Sequence, residues 1–275
     1  MTAERACSAT LEDGADRAAQ FLDHLNRARN YSPNTIAAYR RVLATIAEPA
    51  TATQEDIEGW WLDRGHLSPA TRRQELAAMR SFYRWMIRWD HRSDDPTRRL
   101  DAPKMGHRLP RPMGREDLHR LLSVTSGEMR RAICLGAYGG LRVAEAAALD
   151  WADVDTEARR IIVRAGKGDK DRAVGLSPLL LDALLPVTGG NVVRGGGPPY
   201  SANALQQKVN ATIRAAGVDG TFHKLRSRFA TVALASTGNL LAVSRALGHA
   251  SPATTAIYAA TGDSDLDLIA EAVAR

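Results

Sequence analysis

The sequence contains few cysteines, few aromatic side chains and no long hydrophobic segment. Cys7 and Cys134 are the only cysteines among 275 residues, so no disulfide framework is indicated and a reducing compartment is expected. No segment approaches the roughly 18 consecutive apolar residues that a membrane span requires. The first residues, MTAERACSATLEDGAD, lack the apolar stretch of a secretory signal. We therefore expect a cytoplasmic protein with no membrane partner.

The sequence also lacks the motifs of common metal and nucleotide sites. It has no HExxH motif, no pair of CxxC motifs, and no carboxylate at ligand spacing from His223 or His249. A P-loop ending at Lys167 is excluded, because that motif would need a glycine at Ile161 and a serine or threonine at Gly168. We expect a function that uses no metal ion and no cofactor.

An excess of positive charge is the clearest feature of the composition. Lysine and arginine outnumber aspartate and glutamate by 37 to 31, the net charge is +6, and the sequence pI is about 9.6. Apolar residues make up 44% of the chain, which is enough for an ordinary globular core. This composition favours a polyanionic partner.

The patterns along the chain predict two domains joined by a basic linker. Residues 14–95 contain only helical patterns, two of which open on Ser-Pro pairs at 32–33 and 68–69. The stretch 96–112 has no periodicity and is rich in proline and arginine, which is typical of an extended linker. Residues 113–275 mix helical patterns with two β-branched stretches, RRIIVRA and RAVGLS, around the turn GKGDKD. The predicted fold is mainly α, with an all-helical N-terminal domain and a mostly helical second domain that contains a small antiparallel sheet.

Three polar residues in the first part of the second domain could contribute to a catalytic site. Arg142 and Glu145 lie three apart at a helix start and therefore share a face. An arginine oriented by a carboxylate is a rigid fork for a phosphate, although a surface ion pair has the same spacing. Lys167 lies in the predicted hairpin turn, where it could reach a ligand or simply be one of the polar residues that turns favour.

Further candidates lie in the last third of the chain. In TFHKLRSRFATVALA, His223 and Arg226 lie three apart beside an expected apolar stripe, which predicts that Arg226 lies on the helix surface. Gly248 can end a helix in the left-handed conformation, which places His249 in a turn and Tyr258 about two turns into the next helix. Taken alone, such a histidine is more often a hydrogen-bonded core or turn residue, and such a tyrosine is more often a packed residue. The apolar stripe is expected from Phe222, Leu225, Phe229 and Val232.

The order of these motifs along the chain is more specific than any one of them. GLRVAEAAAL, GKGDKDR, HKLR and LGH follow one another, and a tyrosine comes nine residues after the LGH histidine. In this order the sequence resembles the tyrosine recombinases, the phage-integrase and Xer-type family, over nearly its whole length. The stretches LSPATRRQELAAMRSFYRW and DDPTRRLDAPKMGHRLPR resemble the core-binding domain and linker of that family.

The resemblance implies a role for each candidate residue. Arg142 and Arg226 match the two catalytic arginines, and Lys167 matches the hairpin lysine. His223 is the histidine of the H-x-x-R motif, and His249 is the histidine of the LGH motif. Tyr258 matches the nucleophile, and Glu145 matches the supporting acid. Because none of these positions is missing, the resemblance argues against an inactive member of the family.

These residue types suit the transfer of a DNA phosphodiester onto tyrosine and back. A free phenol has a pKa of about 10, so tyrosine is a poor nucleophile at neutral pH. Two guanidinium groups favour the phenolate and stabilise charge on the phosphoryl oxygens, as a metal ion does in other enzymes. A lysine can protonate the leaving 5′ oxygen, and the covalent intermediate retains the energy of the broken bond for religation.

Arginines on the last helix of the first domain predict contact with double-stranded DNA. They fall on one stripe, away from the apolar stripe, and such a face binds phosphates in or across a groove. A solvated charged face has the same pattern. Arg40 and Arg41 are further candidates for contacts with the DNA backbone. The arginines of the stripe are Arg73, Arg80, Arg84 and Arg88.

The resemblance also implies an assembly and a biological setting. It implies a homo-tetramer on two recombination sites, strand exchange through a Holliday junction, a location at the nucleoid, and an accessory protein that controls direction. The chain has little length ahead of the first domain, so we expect a simple integrase without an arm-binding domain. The loop GGNVVRGGGPPY, which we expect to be flexible, departs from the compact Xer pattern and favours integration or excision of a phage or mobile element.

Three alternatives stay open on the sequence alone. The first is chromosome dimer resolution of the Xer type. The second is a type IB topoisomerase, which forms the same kind of tyrosine ester but relaxes DNA as a monomer. The third is a non-catalytic regulator that binds DNA with the same fold.

Overall fold

The chain forms two compact units, Met1–His107 and Arg108–Arg275. The computed structural model describes residues 17–106, 111–164, 171–185, 187–249 and 253–259. Within those ranges, every helix is too short or too polar to span a bilayer.

Helices that begin at strong capping residues form the N-terminal unit. Ser32 and Ser68 each accept a hydrogen bond from the backbone N–H three residues ahead, and a proline follows each serine. Thr53 and Asp56 form a capping box at another helix start. The helices are α1 (17–27), α2 (Pro33–Leu43), α3 (Gln54–Asp63), which a 3-10 turn (Arg64–His66) follows, and α4 (Pro69–Arg88).

Several of the chain's few aromatic residues form the core of this unit. Phe21, Phe82 and Trp85 pack ring against ring, with centroids 5.4 to 6.3 Å apart. Tyr83 is fully buried, and its hydroxyl donates a hydrogen bond of 2.9 Å to the Pro49 carbonyl. Because these side chains occupy one face of α4, the opposite face is left to its arginines.

The C-terminal unit is mostly helical and contains a small sheet, so the predicted fold class is confirmed. Its three strands are antiparallel in the order β1-β2-β3. The elements in chain order are α5 (Arg115–Ser123), α6 (Gly127–Ala137), α7 (Val143–Ala148), a 3-10 turn (Trp151–Asp153), β1 (Val154–Asp155), β2 (Arg160–Val163), β3 (Arg172–Gly175), α8 (Pro178–Leu184), α9 (Ala202–Ala215), α10 (Phe222–Thr237), α11 (Leu240–Leu247) and α12 (Ala253–Ala259).

The predicted hairpin is formed by β2 and β3. Its register runs from Arg160 opposite Gly175 to Val163 opposite Arg172. Residues 165–170 of the connecting turn, including Lys167, lie outside the described residues. Arg172 therefore begins β3 at the end of the ladder nearest the turn.

A glycine pair, Gly139 and Gly140, follows α6 and lies against α10. α6 is buried throughout residues 131–137 and contacts both α7 and α10. Gly140 has a φ of 63°, and a Cβ atom there would lie 2.5 Å from Phe229 Cδ1. Glycine is therefore required at this position for both its backbone conformation and its contact with α10.

The expectation of a flexible loop in GGNVVRGGGPPY is wrong for residues 191–193, which are buried. Val192 and Val193 have no solvent exposure, and the Asn191 amide donates to the carbonyls of Ala147 and Leu149. The guanidinium of Arg131 donates to the Val193 carbonyl through two nitrogens. This part of the loop is packed because its apolar side chains enter the core and its buried polar groups are hydrogen-bonded.

Candidate active site

The candidate residues of the C-terminal unit converge on the carboxylate of Glu145. Arg172 contacts it with two parallel hydrogen bonds, from Nη1 to Oε1 over 2.8 Å and from Nη2 to Oε2 over 2.7 Å. Arg142 donates to the same carboxylate through Nη1 over 2.8 Å, and Arg226 Nη1 lies 3.7 Å from Oε2. Three guanidinium groups thus surround one carboxylate.

The start of α7 places Glu145 at this point. Arg142 occupies the N-cap, and Glu145, at the third helical position, accepts a hydrogen bond of 2.6 Å from the Arg142 backbone N–H. This bond satisfies one of the free N–H groups of a helix start, and a carboxylate is electrostatically favoured there. The expectation that Arg142 and Glu145 share a face therefore agrees with the structure.

The same three arginines also bind three consecutive carbonyl groups at the end of α11. Arg172 Nε donates to the Ala246 carbonyl over 2.8 Å, Arg226 Nη2 to Leu247 over 2.6 Å, and Arg142 Nη2 to Gly248 over 2.6 Å. The last carbonyls of a helix have no partner within the helix and carry partial negative charge. The end of α11 therefore acts as a second anchor for the arginine cluster.

Gly248 ends α11 in the left-handed conformation, as the sequence predicts. Its φ is 64°, and a Cβ atom there would lie 2.9 Å from Nη1 and 3.1 Å from Cδ of Arg172. Any side chain at this position would combine backbone strain with a clash against Arg172. Glycine therefore keeps the space in which Arg172 reaches Glu145.

The cluster holds more positive than negative charge. Burial alone would raise the pKa of Glu145, but hydrogen bonds from Arg172 and from the Arg142 backbone, together with the charge of Arg172, lower this pKa to about 2. Glu145 is therefore ionised at neutral pH, and three guanidinium groups opposite one carboxylate leave two positive charges in excess. An anionic ligand would be stabilised here.

Two histidines lie beside the arginines in their neutral form. Burial and then the charges of the nearby arginines, Arg226 first among them, lower the pKa of His249 to about 4. Loss of solvent and the charge of Arg226 also lower the pKa of His223. His249 Nδ1 shares a hydrogen bond of 2.8 Å with the hydroxyl of Thr255, a buried residue of α12. Neutral imidazoles of this kind can donate hydrogen bonds or transfer protons.

The structure brings together five of the seven predicted site residues. Lys167 lies outside the described residues, and Tyr258 is described only as part of the α12 backbone, not in its side chain. The five residues that meet are Arg142, Glu145, His223, Arg226 and His249.

The prediction that Arg226 lies on the helix surface is wrong. Arg226 is only 4% exposed, and its Nη1 donates to the Gly140 carbonyl over 2.7 Å. The expected apolar stripe is only partly correct, because Phe222 and Leu225 are buried whereas Val232 is 47% exposed. The helix turns its Arg226 side inward, where the carbonyls of two chain segments provide polar partners.

Sequence reasoning missed Arg172, although a signal for it exists. Val174 in β3 is buried, and side chains alternate between the faces of a strand, so Arg172 shares the face of Val174. A charged residue at an inward-facing strand position requires a partner of opposite charge. That partner is Glu145.

The arginines predicted to contact DNA belong to the N-terminal unit. Arg80 is half-buried and donates a hydrogen bond to the Leu100 carbonyl, and Arg73 donates to Pro103 over 3.0 Å. These two residues therefore also hold the segment that follows α4. The exposed members of the predicted set are Arg40, Arg41, Arg73, Arg84 and Arg88.

Comparison with known proteins identifies the family. The phage integrase family matches residues 113–264, more than half of the chain, and the phage integrase N-terminal SAM-like domain matches residues 18–89. The chain belongs to the phage integrase family. Members of this family are tyrosine recombinases, which break and rejoin DNA, so this protein is a site-specific DNA recombinase.

Individual relatives resemble the recombinase over most of its length. Tyrosine recombinase XerC of Xanthomonas campestris pv. campestris is 33% identical to this chain in an alignment 283 positions long, which covers 91% of this chain and 87% of XerC. Tyrosine recombinase XerD of Caulobacter vibrioides is 31% identical, and the alignment covers 90% of this chain and 92% of XerD. The Tn1549 transposon integrase, solved in complex with transposon right end DNA, shares the fold, with a TM-score of 0.74 at 18% sequence identity. The match covers 94% of this chain and 99% of the integrase chain.

We predict that Arg226→Ala destabilises the recombinase as well as slowing its chemistry. The substitution removes the donor that Arg226 supplies to the carbonyls of Gly140 and Leu247, and an unsatisfied buried acceptor costs about 1–3 kcal/mol. Urea denaturation should show a lower free energy of unfolding for this variant. Arg245→Ala, which alters an exposed arginine of α11, is the matched control. Equal stability of the two variants would contradict the buried role of Arg226.

We predict that stability falls as the pH is lowered from about 6.5 to about 4, partly because of His249. The unfolded chain binds a proton at His249 in this range, whereas the folded chain, with its pKa near 4, does not. His249→Asn should therefore flatten the free energy of unfolding against pH in this window, measured by urea denaturation. His119→Asn, at an exposed position of α5, should leave the curve unchanged. Identical curves for wild type and His249→Asn would contradict this explanation.

Proposed function

We propose that the recombinase exchanges strands between two copies of a duplex DNA site through a covalent bond between a DNA 3′ phosphate and Tyr258. The observation that carries this proposal is the excess positive charge around Glu145. Guanidinium groups with too few counter-charges favour an oxyanion such as a phosphodiester. α12, which contains Tyr258, contacts both α10 and α11, and the end of α11 binds all three arginines.

In this proposal the reaction is an exchange of esters at phosphorus. The Tyr258 oxygen attacks phosphorus, the bond to the 5′ oxygen breaks, and Lys167 supplies the proton with which that oxygen leaves. Arg142 and Arg226 stabilise the charge that develops on the non-bridging oxygens. A 5′ hydroxyl then attacks the phosphotyrosine, which restores the phosphodiester and the phenol. One ester replaces another at each step, so no external energy source is needed.

The neutral histidines can serve as proton carriers and hydrogen-bond donors. His249 is uncharged near pH 7 because its pKa is lowered to about 4. A neutral imidazole can accept the phenolic proton of Tyr258 or donate a hydrogen bond to the phosphate. The bond between His249 and Thr255 links this imidazole to α12, three residues before Tyr258.

We infer that DNA lies against both domains. The proposed boundaries are a core-binding domain at 14–95, a linker at 96–112 and a catalytic domain at 113–275. The exposed arginines of α4 and of the end of α2 support the first assignment, because exposed guanidinium groups can reach DNA phosphates. Two other arginines of this unit contact aromatic rings. The guanidinium of Arg72 lies 4.0 Å from the ring centroid of Trp61, and that of Arg92 lies 5.4 Å from the ring centroid of Tyr83.

We propose that strand exchange serves integration or excision of a mobile element. Chromosome dimer resolution is a second candidate, favoured by the XerC and XerD relatives that match about nine-tenths of the chain. Deleting the gene in its host separates the two roles. Loss of the circular form of a flanking element supports integration and excision, whereas accumulation of chromosome dimers supports dimer resolution.

We propose a homo-tetramer on two sites at the nucleoid, with an accessory protein controlling direction. Mass measurement of the protein with duplex DNA tests the tetramer. If the monomeric protein relaxes a supercoiled plasmid that lacks the target site, this result would instead support a type IB topoisomerase. Absence of any covalent adduct from the wild type would support a non-catalytic regulator.

We predict that Tyr258→Phe binds DNA with wild-type affinity but forms no covalent adduct, because phenylalanine lacks the attacking oxygen. A nicked suicide substrate traps the adduct, which a denaturing gel detects. Tyr200→Phe is the control, since that hydroxyl donates to Glu128 in the same unit, and it should retain the adduct. Persistence of the adduct in Tyr258→Phe would remove Tyr258 from the mechanism.

We predict that Arg84→Ala and Arg88→Ala weaken binding to duplex DNA without destabilising the fold, because both side chains are exposed. Each lost phosphate contact should reduce the slope of log K against log salt concentration by about 0.9. Fluorescence anisotropy at several salt concentrations measures that slope. Arg27→Ala, at an exposed arginine of α1 paired with Asp23, should leave it unchanged. An unchanged slope in the α4 variants would place DNA elsewhere.

A further inference from the structure

We propose that Arg172 is a positioning residue of the cleavage site, which holds Glu145 and, through it, the phosphate-binding guanidinium of Arg142. This inference rests on the proposed function, because the site it positions is the proposed site of strand cleavage. Arg172 itself does not take part in the proposed ester exchange.

The contacts of Arg172 join three separate parts of the C-terminal unit. Its side chain is only 9% exposed. The side chain starts in β3, pairs with both oxygens of Glu145 in α7, and donates from Nε to the Ala246 carbonyl at the end of α11. One guanidinium group thereby links β3 to α7 and to the end of α11.

The geometry requires an arginine rather than any positive charge. Two parallel N–H groups of a planar guanidinium match the two oxygens of a carboxylate, while Nε remains free for a third acceptor. A lysine is a compact charge at the end of a flexible chain and cannot reproduce this three-point contact. Arg172 therefore fixes the rotation of the Glu145 carboxylate as well as neutralising its charge.

That rotation decides where Arg142 points. Glu145 Oε2 accepts from the Arg142 backbone, and Oε1 accepts from Arg142 Nη1. The Arg142 side chain is 40% exposed, and besides Glu145 it is held by the Gly248 carbonyl. Without Arg172, only the backbone N–H and Nη1 of Arg142 hold the carboxylate, which can then rotate toward Arg226, whose Nη1 lies 3.7 Å from Oε2. Arg142 would then keep its bond to Gly248 but lose the carboxylate oxygen that fixes its other terminal nitrogen.

The turn at Gly248 leaves room for the side chain of Arg172. The nearest side-chain atoms to a Cβ built at Gly248 all belong to Arg172. The Gly248 carbonyl also accepts a hydrogen bond from Arg142. The same turn therefore admits Arg172 and anchors the group that we propose Arg172 positions.

The test compares Arg172→Ala and Arg172→Lys with wild type in single-turnover cleavage of a suicide substrate at saturating DNA. We expect cleavage to slow by about 10- to 100-fold in both variants, as when groups that orient catalytic residues are removed, with DNA affinity unchanged. Arg164→Ala, at an exposed arginine just after β2 that pairs with Asp153, should cleave like wild type.

Chemical rescue distinguishes positioning from a general loss of structure. Millimolar methylguanidinium can enter the space left in Arg172→Ala and pair with Glu145, so it should restore much of the cleavage rate. The same concentration of methylammonium should restore little, because it lacks the fork. Neither ion should accelerate wild type or Arg164→Ala.

Two results would overturn the proposal. One is wild-type cleavage by either Arg172 variant, and Arg172→Lys alone decides this if Arg172→Ala does not fold. The other is slow cleavage by a folded Arg172→Ala that methylguanidinium and methylammonium leave equally slow. A wild type that forms no adduct would instead refute the proposed function, so the two failures are distinguishable.

Discussion

The carboxylate of Glu145, whose side chain is 13% exposed, is the constraint on which the rest of the site depends. Three guanidinium groups would repel one another if they were brought together without a counter-charge. Glu145 receives two of them in direct hydrogen bonds and lies near the third, and three carbonyls at the end of α11 accept from the same groups. This arrangement holds the arginines in place while leaving net positive charge, which is what a phosphodiester in transfer requires.

The fold supports this cluster by bringing the ends of secondary-structure elements together. The N-terminus of α7 supplies Arg142 and Glu145, the start of β3 supplies Arg172, and the C-terminus of α11 supplies the carbonyls. The loop at 189–199 holds the other end of α7, because Asn191 donates to the Ala147 and Leu149 carbonyls. A loop that is packed into the core in this way contributes to the rigidity of the site.

Local chemistry made part of this structure predictable from the sequence. Serine-proline helix starts, the left-handed Gly248 and each single motif depend on residues close together in the chain. Arg172 and the burial of Arg226 were missed because their partners are remote. The bond from Arg172 to Ala246 spans 74 residues, and the bond from Arg226 to Gly140 spans 86. Helical spacing shows which residues share a face, but only tertiary packing decides whether that face is covered.

A crystal structure of the recombinase trapped on a suicide DNA substrate tests the central claim most directly. The account predicts phosphorus bonded to the Tyr258 oxygen, Arg142 and Arg226 donating to its non-bridging oxygens, and Glu145 still paired with both Nη atoms of Arg172. A phosphate bound away from both arginines, or bonded to a different side chain, would contradict the account.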